Sequence, residues 1–362
     1  MIIKASIVIS SLVSVVIVAT VYFGILYYEK GEGESSKRIE VVIPAGSTLS
    51  DVVDTLSTHG VLKKTRLFKV SAILTGRDKS IKAGRYIFRG NESVAEVLGK
   101  LSRGEVSYKK LVVPEGLYVS EIAALVSVEL GVDSAMFYER AFDKSVLAKY
   151  KIPAPSLEGY LFPDTYLFEW PVSADEVIER MVGRFLEIYH MYIRELADSA
   201  GMGMNEVVTL ASIIQAEAQY SSEMARISAV YHNRLKLHWR LEADPTVAYA
   251  LGGVRRSLTY RDLRVDSPYN TYRRKGLPPG PICNPGLKAL MAAVKPASDC
   301  RDLYFVADGT GRHIFSRTLA EHLRAKRGVR RERISGSVRD SVRGNELMKG
   351  EGYKDKAVNS GS

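Results

Sequence analysis

Asn205 to Ala218 reads NEVVTLASIIQAEA. Leu210, Ile213 and Ile214 stand seven, four and three residues before Glu217. At 3.6 residues per turn these positions share one helix face, so a carboxylate falls on the apolar stripe of its own helix. A charge there costs free energy unless it is paired, or unless its pKa rises and the group stays protonated. Glu217 is then either a general acid, which must hold its proton near neutral pH, or half of a structural ion pair with Arg226, Arg234 or Arg240.

Around this helix lie loops rich in amides, hydroxyls and flat aromatic faces. They are YHNRL (residues 231–235), LEADPTVAY (241–249) and Tyr269, Asn270, Thr271 and Tyr272. Such groups hydrogen-bond and stack on pyranose rings, although beside turns they also serve purely structural ends. Glu217 is accordingly the candidate catalytic residue, for acid chemistry on a glycosidic bond. Asn233, Asp244, Tyr269, Asn270 and Tyr272 are candidate binding residues, joined by Glu158 and Asp164 from the aromatic stretch EGYLFPDTY (158–166). Asp244 and Glu158 are the carboxylates that would turn a one-acid site into a two-carboxylate hydrolase. The proline-rich GLPPGPI (276–282) reads as a rigid groove wall.

Other chemistries lack their motifs. The six histidines, His59, His190, His232, His238, His313 and His322, show no HExxH or other metal spacing and read as ordinary surface or core residues. There is no GxSxG elbow, no GxxxxGK[ST] loop and no GxGxxG, so neither metal nor cofactor is expected. Cys283 and Cys300 exclude a disulfide scaffold; they are either one pair or two free thiols.

Toward the N-terminus, Ala5 to Tyr28 carries no charge for 24 residues, enough helix to cross a bilayer, with Tyr22, Phe23, Tyr27 and Tyr28 gathered at its end. Residues 1–4 are expected as a short cytoplasmic end, 5–28 as a single transmembrane helix and 29–38 as a linker, with the C-terminal body exported. The remainder of the 362 residues is long enough for two domains, and 46% hydrophobic with 25% charged residues is a globular composition.

The first of these, 39–155, opens with a strand (39–43), a helix capped by Ser50 with Val52, Val53 and Leu56 inward, a second helix near 67–74, a strand at 86–88, and a helix from Val94 to Leu101 capped by Ser93 or Asn91. That strand-helix-helix-strand order resembles a LysM module, which binds glycan by its loops; the other reading is a spacer that holds the second domain away from the membrane. The pattern Val42, Ile43, Pro44, Gly46, Ser50 returns 70 residues later as Val112, Val113, Pro114, Gly116, Ser120, implying two small α/β units. In the second domain, 156–323, helices are expected at 173–199 and from 205 to about 220. The fold class is therefore α+β: one transmembrane helix, a LysM-like α/β subdomain and a mixed α/β catalytic domain. Of the net charge of +10, residues 324–362 carry +6 without an apolar period, and they read as a basic disordered tail. The folded body is nearly neutral, which argues against a nucleic-acid partner.

The ordered motifs EGYLFPDTY, LASIIQAEA (210–218), YHNRL, LEADPTVAYALG (241–252), SPYNTYRRKGLPPGPICNPG (267–286) and LYFVADGTGRHIFSRTLAEH (303–322) together resemble the endolytic murein transglycosylases, the MltG or YceG-like family. The resemblance implies an inner-membrane, single-pass protein with a periplasmic catalytic domain. It implies cleavage of the MurNAc–GlcNAc bond within nascent peptidoglycan strands, leaving 1,6-anhydroMurNAc ends and terminating elongation, with cell-wall synthases as partners. The family's catalytic glutamate falls on Glu217. Many relatives carry a second glutamate two residues earlier, where this chain has Gln215. The alternatives are a non-catalytic, membrane-anchored glycan-binding scaffold and a muramidase hydrolase using two carboxylates.

Overall fold

The structure is a computed structural model that describes residues 2–331 except Glu32, Ser107 and Trp170, with the backbone alone for residues 2–12 and Val15. Helix α1 spans Ile2–Tyr28. Among the described residues no helix is long and apolar enough to cross a membrane, and much of the expected 5–28 span lies outside the described side chains. The chain divides into two compact units, Met1–Val112 with Val126–Val132 and Thr165–Ser173, and Val113–Leu125 with Asp133–Asp164 and Ala174–Ser362.

In the first unit, β1 (Arg38–Ile43), α2 (Leu49–Thr58), α3 (Thr65–Leu74), β2 (Gly84–Arg89) and α4 (Val94–Arg103) follow α1 in the expected order. β1 and β2 pair antiparallel from Arg38 opposite Arg89 to Ile43 opposite Gly84. Val41, Ile43, Val52, Val53, Leu56, Phe68, Tyr86 and Phe88 form its core. The cap of α2 is Thr48 and not Ser50. Thr48 and Asp51 complete a reciprocal capping box, each side chain accepting the other's backbone N–H, which Ser50 at the second helical position cannot do. Ser93 and Glu96 build the same device on α4, whose end is Gly104 at φ +70°. β3 (Tyr108–Val112) pairs antiparallel with β4 (Thr165–Glu169).

The second unit is largely helical. α5 (Val119–Leu130) begins in it, and α6 (Ser134–Ala141) and α7 (Lys144–Lys149) follow. α8 (Ala174–Ile188) passes through a π-helical turn, Tyr189–Ile193, into α9 (Arg194–Ala200), closely matching the expected 173–199. α10 (Met204–Glu217) ends at Glu217, earlier than expected. Its residues Val207 to Ile214 are buried without a break, so α10 is surrounded by protein on every side and does not merely present one stripe. α11 (Met224–Lys236), α12 (Asp244–Ala250) and α13 (Leu287–Val294) pack around it, and β5 (Tyr304–Ala307) with β6 (His313–Ser316) makes an antiparallel hairpin.

Residues 319–331 form a further helix, α14. The expected disordered tail therefore begins as helix over 324–331: Glu321 accepts the backbone N–H of Arg317 and Thr318 at its start, and Val329 is buried. Residues 332–362 lie outside the described residues.

Candidate active site

The C-terminal end of α10 opens on a cleft of about 630 Å³, and Glu217 lines it. The acid is half-buried, and the Tyr231 hydroxyl on α11 donates to its Oε1 at 3.0 Å. Burial is the largest influence on Glu217 and pushes its pKa up to about 7. The Tyr231 hydrogen bond acts downward, the negative charge of Asp244 upward and the Arg234 guanidinium downward. A helix C-terminus also disfavours a carboxylate, since the unpaired carbonyls there carry partial negative charge. No ion pair involves Glu217 among the described residues. Arg226 pairs with Asp302 at 2.8 Å, and Arg234 donates to the carbonyls of Leu303 and Leu241 and pairs with Glu242 at 3.3 Å. Of the two readings open for Glu217, the ion pair with Arg226, Arg234 or Arg240 is not formed among the described residues.

Asp244, the first residue of α12, shares the cleft and accepts a 2.6 Å hydrogen bond from the Tyr272 hydroxyl, which also lines it. Two loops are laced together to hold this pair. Ala243 N donates to Thr271 Oγ1 at 3.0 Å, the Thr246 and Thr271 hydroxyls lie 2.8 Å apart, and Glu242 N donates to the Thr271 carbonyl. Asn270 is fully buried. Its Nδ2 donates to the carbonyls of Leu263 and Val265, and its Oδ1 accepts the Tyr272 N–H at 2.9 Å. Asn270 thus shapes the turn that presents Tyr272 and does not itself line the cleft.

The remaining candidates are elsewhere. Glu158 is buried and accepts from Val119 N and Asn284 Nδ2, each at 3.1 Å, tying the start of α5 to the loop before α13. Burial raises its pKa to about 8, against the hydrogen bonds from Val119, Tyr249 and Asn284. Tyr269 packs on Tyr249 with ring centroids 5.0 Å apart. Asp164 pairs with Arg184 at 2.9 Å on a part-exposed surface. Asn233 Nδ2 donates to the carbonyls of Cys300 and Asp302, fixing the chain leading into β5. The proline loop packs on α10, Ile282 N donating to Ser212 Oγ, and does not wall the cleft. Cys283 and Cys300 are both free.

Several cleft residues escaped the sequence reading. His313 is not an ordinary histidine: it lines the cleft, and Nδ1 lies 2.9 Å from Glu223 Oε2 while its backbone N–H donates to Oε1. Glu242 holds φ +52°, the left-handed region that few side chains occupy, and its motif position gave no sign of it. His322, Lys326 and Arg330 reach the cleft from α14; their spacing of four repeats in the sequence and was the one available signal.

The YceG-like family profile matches residues 41–328. This chain belongs to the YceG-like family. It is 32% identical over 321 residues to the endolytic murein transglycosylase of Bacillus subtilis (strain 168), covering 84% of this chain and 88% of that one. The endolytic murein transglycosylase of Streptococcus pneumoniae (strain R6) is 28% identical over 84% of this chain, which spans 63% of that protein. The crystal structure of a yceG-like protein from Listeria monocytogenes superposes with a TM-score of 0.56 at 35% identity, over 80% of this chain and 99% of that one. In this YceG-like chain Gln215 accepts the backbone N–H of Gly286 at 3.1 Å and so anchors the loop before α13.

Proposed function

We propose that this chain is an endolytic lytic transglycosylase of peptidoglycan, and the observation that carries the reading is Glu217: an acid at the cleft surface, protonated to about pH 7, with no cation paired to it among the described residues. The names of the relatives from Bacillus and Streptococcus supply the reaction class. Glu217 donates its proton to the glycosidic oxygen between MurNAc and GlcNAc as the C1–O bond breaks. The C6 hydroxyl of the same MurNAc then forms the new bond to C1, returning a proton to the Glu217 carboxylate and leaving a 1,6-anhydro end. A nucleophile already within the ring replaces a captured water, so one carboxylate suffices. Asp244, fixed by Tyr272, keeps Glu217 protonated and offers negative charge to the cationic sugar of the transition state.

Residues 5–28 anchor the chain in the inner membrane, with the catalytic body on its outer, periplasmic side and within reach of cell-wall synthases. The support is an uncharged stretch of 24 residues and, in the described part of α1, exposed Val16, Ile17, Val18, Val21, Tyr22 and Ile25, an apolar surface of the kind lipid covers. The β1-α2-α3-β2 unit serves as a LysM-like glycan holder, on the strength of its element order.

The test is mass spectrometry of products from uncross-linked glycan strands incubated with the full-length chain in detergent. The expected products end in 1,6-anhydroMurNAc, and Glu217→Gln leaves the strands intact, a loss of roughly 10²–10⁴-fold, while melting like the parent. Reducing ends would move the assignment to a hydrolase in which Asp244 is the second carboxylate. Intact strands with both proteins would favour a binding scaffold.

A further inference from the structure

The cleft is electrically two-sided. Glu217, Glu242 and Asp244 belong to it, and so do Arg234, Lys326 and Arg330. Arg234 is engaged with Glu242 and with three backbone carbonyls. Lys326 and Arg330 form no ion pair among the described residues, and both are exposed. They stand four residues apart on α14, one turn along a single face, with His322 one turn before them. That face is seated, not adrift. His322 stacks on Tyr304 of β5 with centroids 5.2 Å apart, and Val329 is buried beside it.

Two cations without an ion pair among the described residues, facing a cleft that also holds carboxylates, suit an anionic ligand, which the acidic side alone would repel. Murein is such a ligand: each MurNAc bears a lactyl group at O3, which ends either in a carboxylate or in a stem peptide with carboxylates of its own. Resting on the transglycosylase reading, we propose that Lys326 and Arg330 form a subsite for a carboxylate carried by the MurNAc at the cleavage point, so that α14 selects charged strands.

Three strand preparations separate the sources of that charge: strands with stem peptides, strands stripped of them to expose the lactyl carboxylate, and stripped strands whose lactyl carboxylates are amidated. The full-length chain is compared with Lys326→Ala/Arg330→Ala and with the reversal Lys326→Glu/Arg330→Glu, each checked by thermal melting. KM should rise about tenfold in the alanine pair and further in the reversal, on charged strands only, with kcat within about twofold. The parent's preference for charged strands should shrink at high salt. An effect confined to stem-bearing strands assigns the stem peptide, an effect confined to the stripped, unamidated strands assigns the lactyl carboxylate, and an effect on both means that the subsite accepts either carboxylate. Equal effects on charged and amidated strands, or none, would overturn the subsite. The same strands are titrated by anisotropy against each variant carrying Glu217→Gln, so the subsite is decided by binding even if the parent cleaves nothing, which would sink the transglycosylase reading alone.

Discussion

Glu217 owes its proton to where the chain puts it, at the last position of a buried helix, under a tyrosine hydroxyl and within the field of a second carboxylate. Because the acid must be protonated to act, kcat/KM should fall as pH rises through about 7. Its neighbours move that limb in opposite directions. Tyr231→Phe removes a hydrogen bond that favours the charged form, so the limb shifts to higher pH; Asp244→Asn removes a negative charge that disfavours it, so the limb shifts lower. A pH profile of the two variants from about 5 to 9 checks both signs, and a common direction would mean that one of these influences is misassigned. That Glu217, Asp244 and Tyr272 line one cleft could be anticipated from motif and helix phase, which are local properties. The Glu223–His313 contact was not, since 90 residues separate the partners and only the position of the β5–β6 hairpin joins them.

Among the elements, α10 carries the most, and the loops packed on it leave no slack. Gly159 sits at φ +88°, and a Cβ there would lie 2.5 Å from Pro281 Cβ and 2.8 Å from Val208 Cγ1. Gly159→Ala therefore meets both backbone strain and collision, and should destabilise the second unit by about 2–4 kcal/mol, read as a lowered denaturation midpoint with unchanged m-value. A change under about 0.5 kcal/mol would mean that the loop shifts freely. β1, β2, α3 and α4 were legible nearly to their ends, because β-branched runs and the Ser93 cap act over three or four residues, whereas the Thr48 box of α2 was mistaken for a Ser50 cap. α14 was not legible, because abundant Arg and Lys hid the spacing of His322, Lys326 and Val329. Nor was it legible whether Glu158 faces sugar or core, a matter of which distant loop closes over it.

At the scale of the whole molecule, Glu158 couples folding to pH. Its folded pKa, about 8, lies above the ordinary value of 4.5, so the native state prefers the neutral acid. The stability this lends is complete below about pH 4.5 and drains away as pH climbs to 8, a loss on the order of 3–5 kcal/mol. Glu158→Gln, which stays neutral, should flatten that slope in urea titrations at several pH values; a slope equal to the parent's would assign the pH dependence to other groups. The two cysteines lend themselves to following the same transition without any added probe. Cys283 is sealed beside α10, its thiol donating to the Ser212 carbonyl at 3.3 Å, whereas Cys300 is only half-buried. A maleimide pulse should therefore tag one sulfur per native chain and two per chain opened by denaturant, turning the mass of the alkylated protein into a direct tally of how many molecules have come apart.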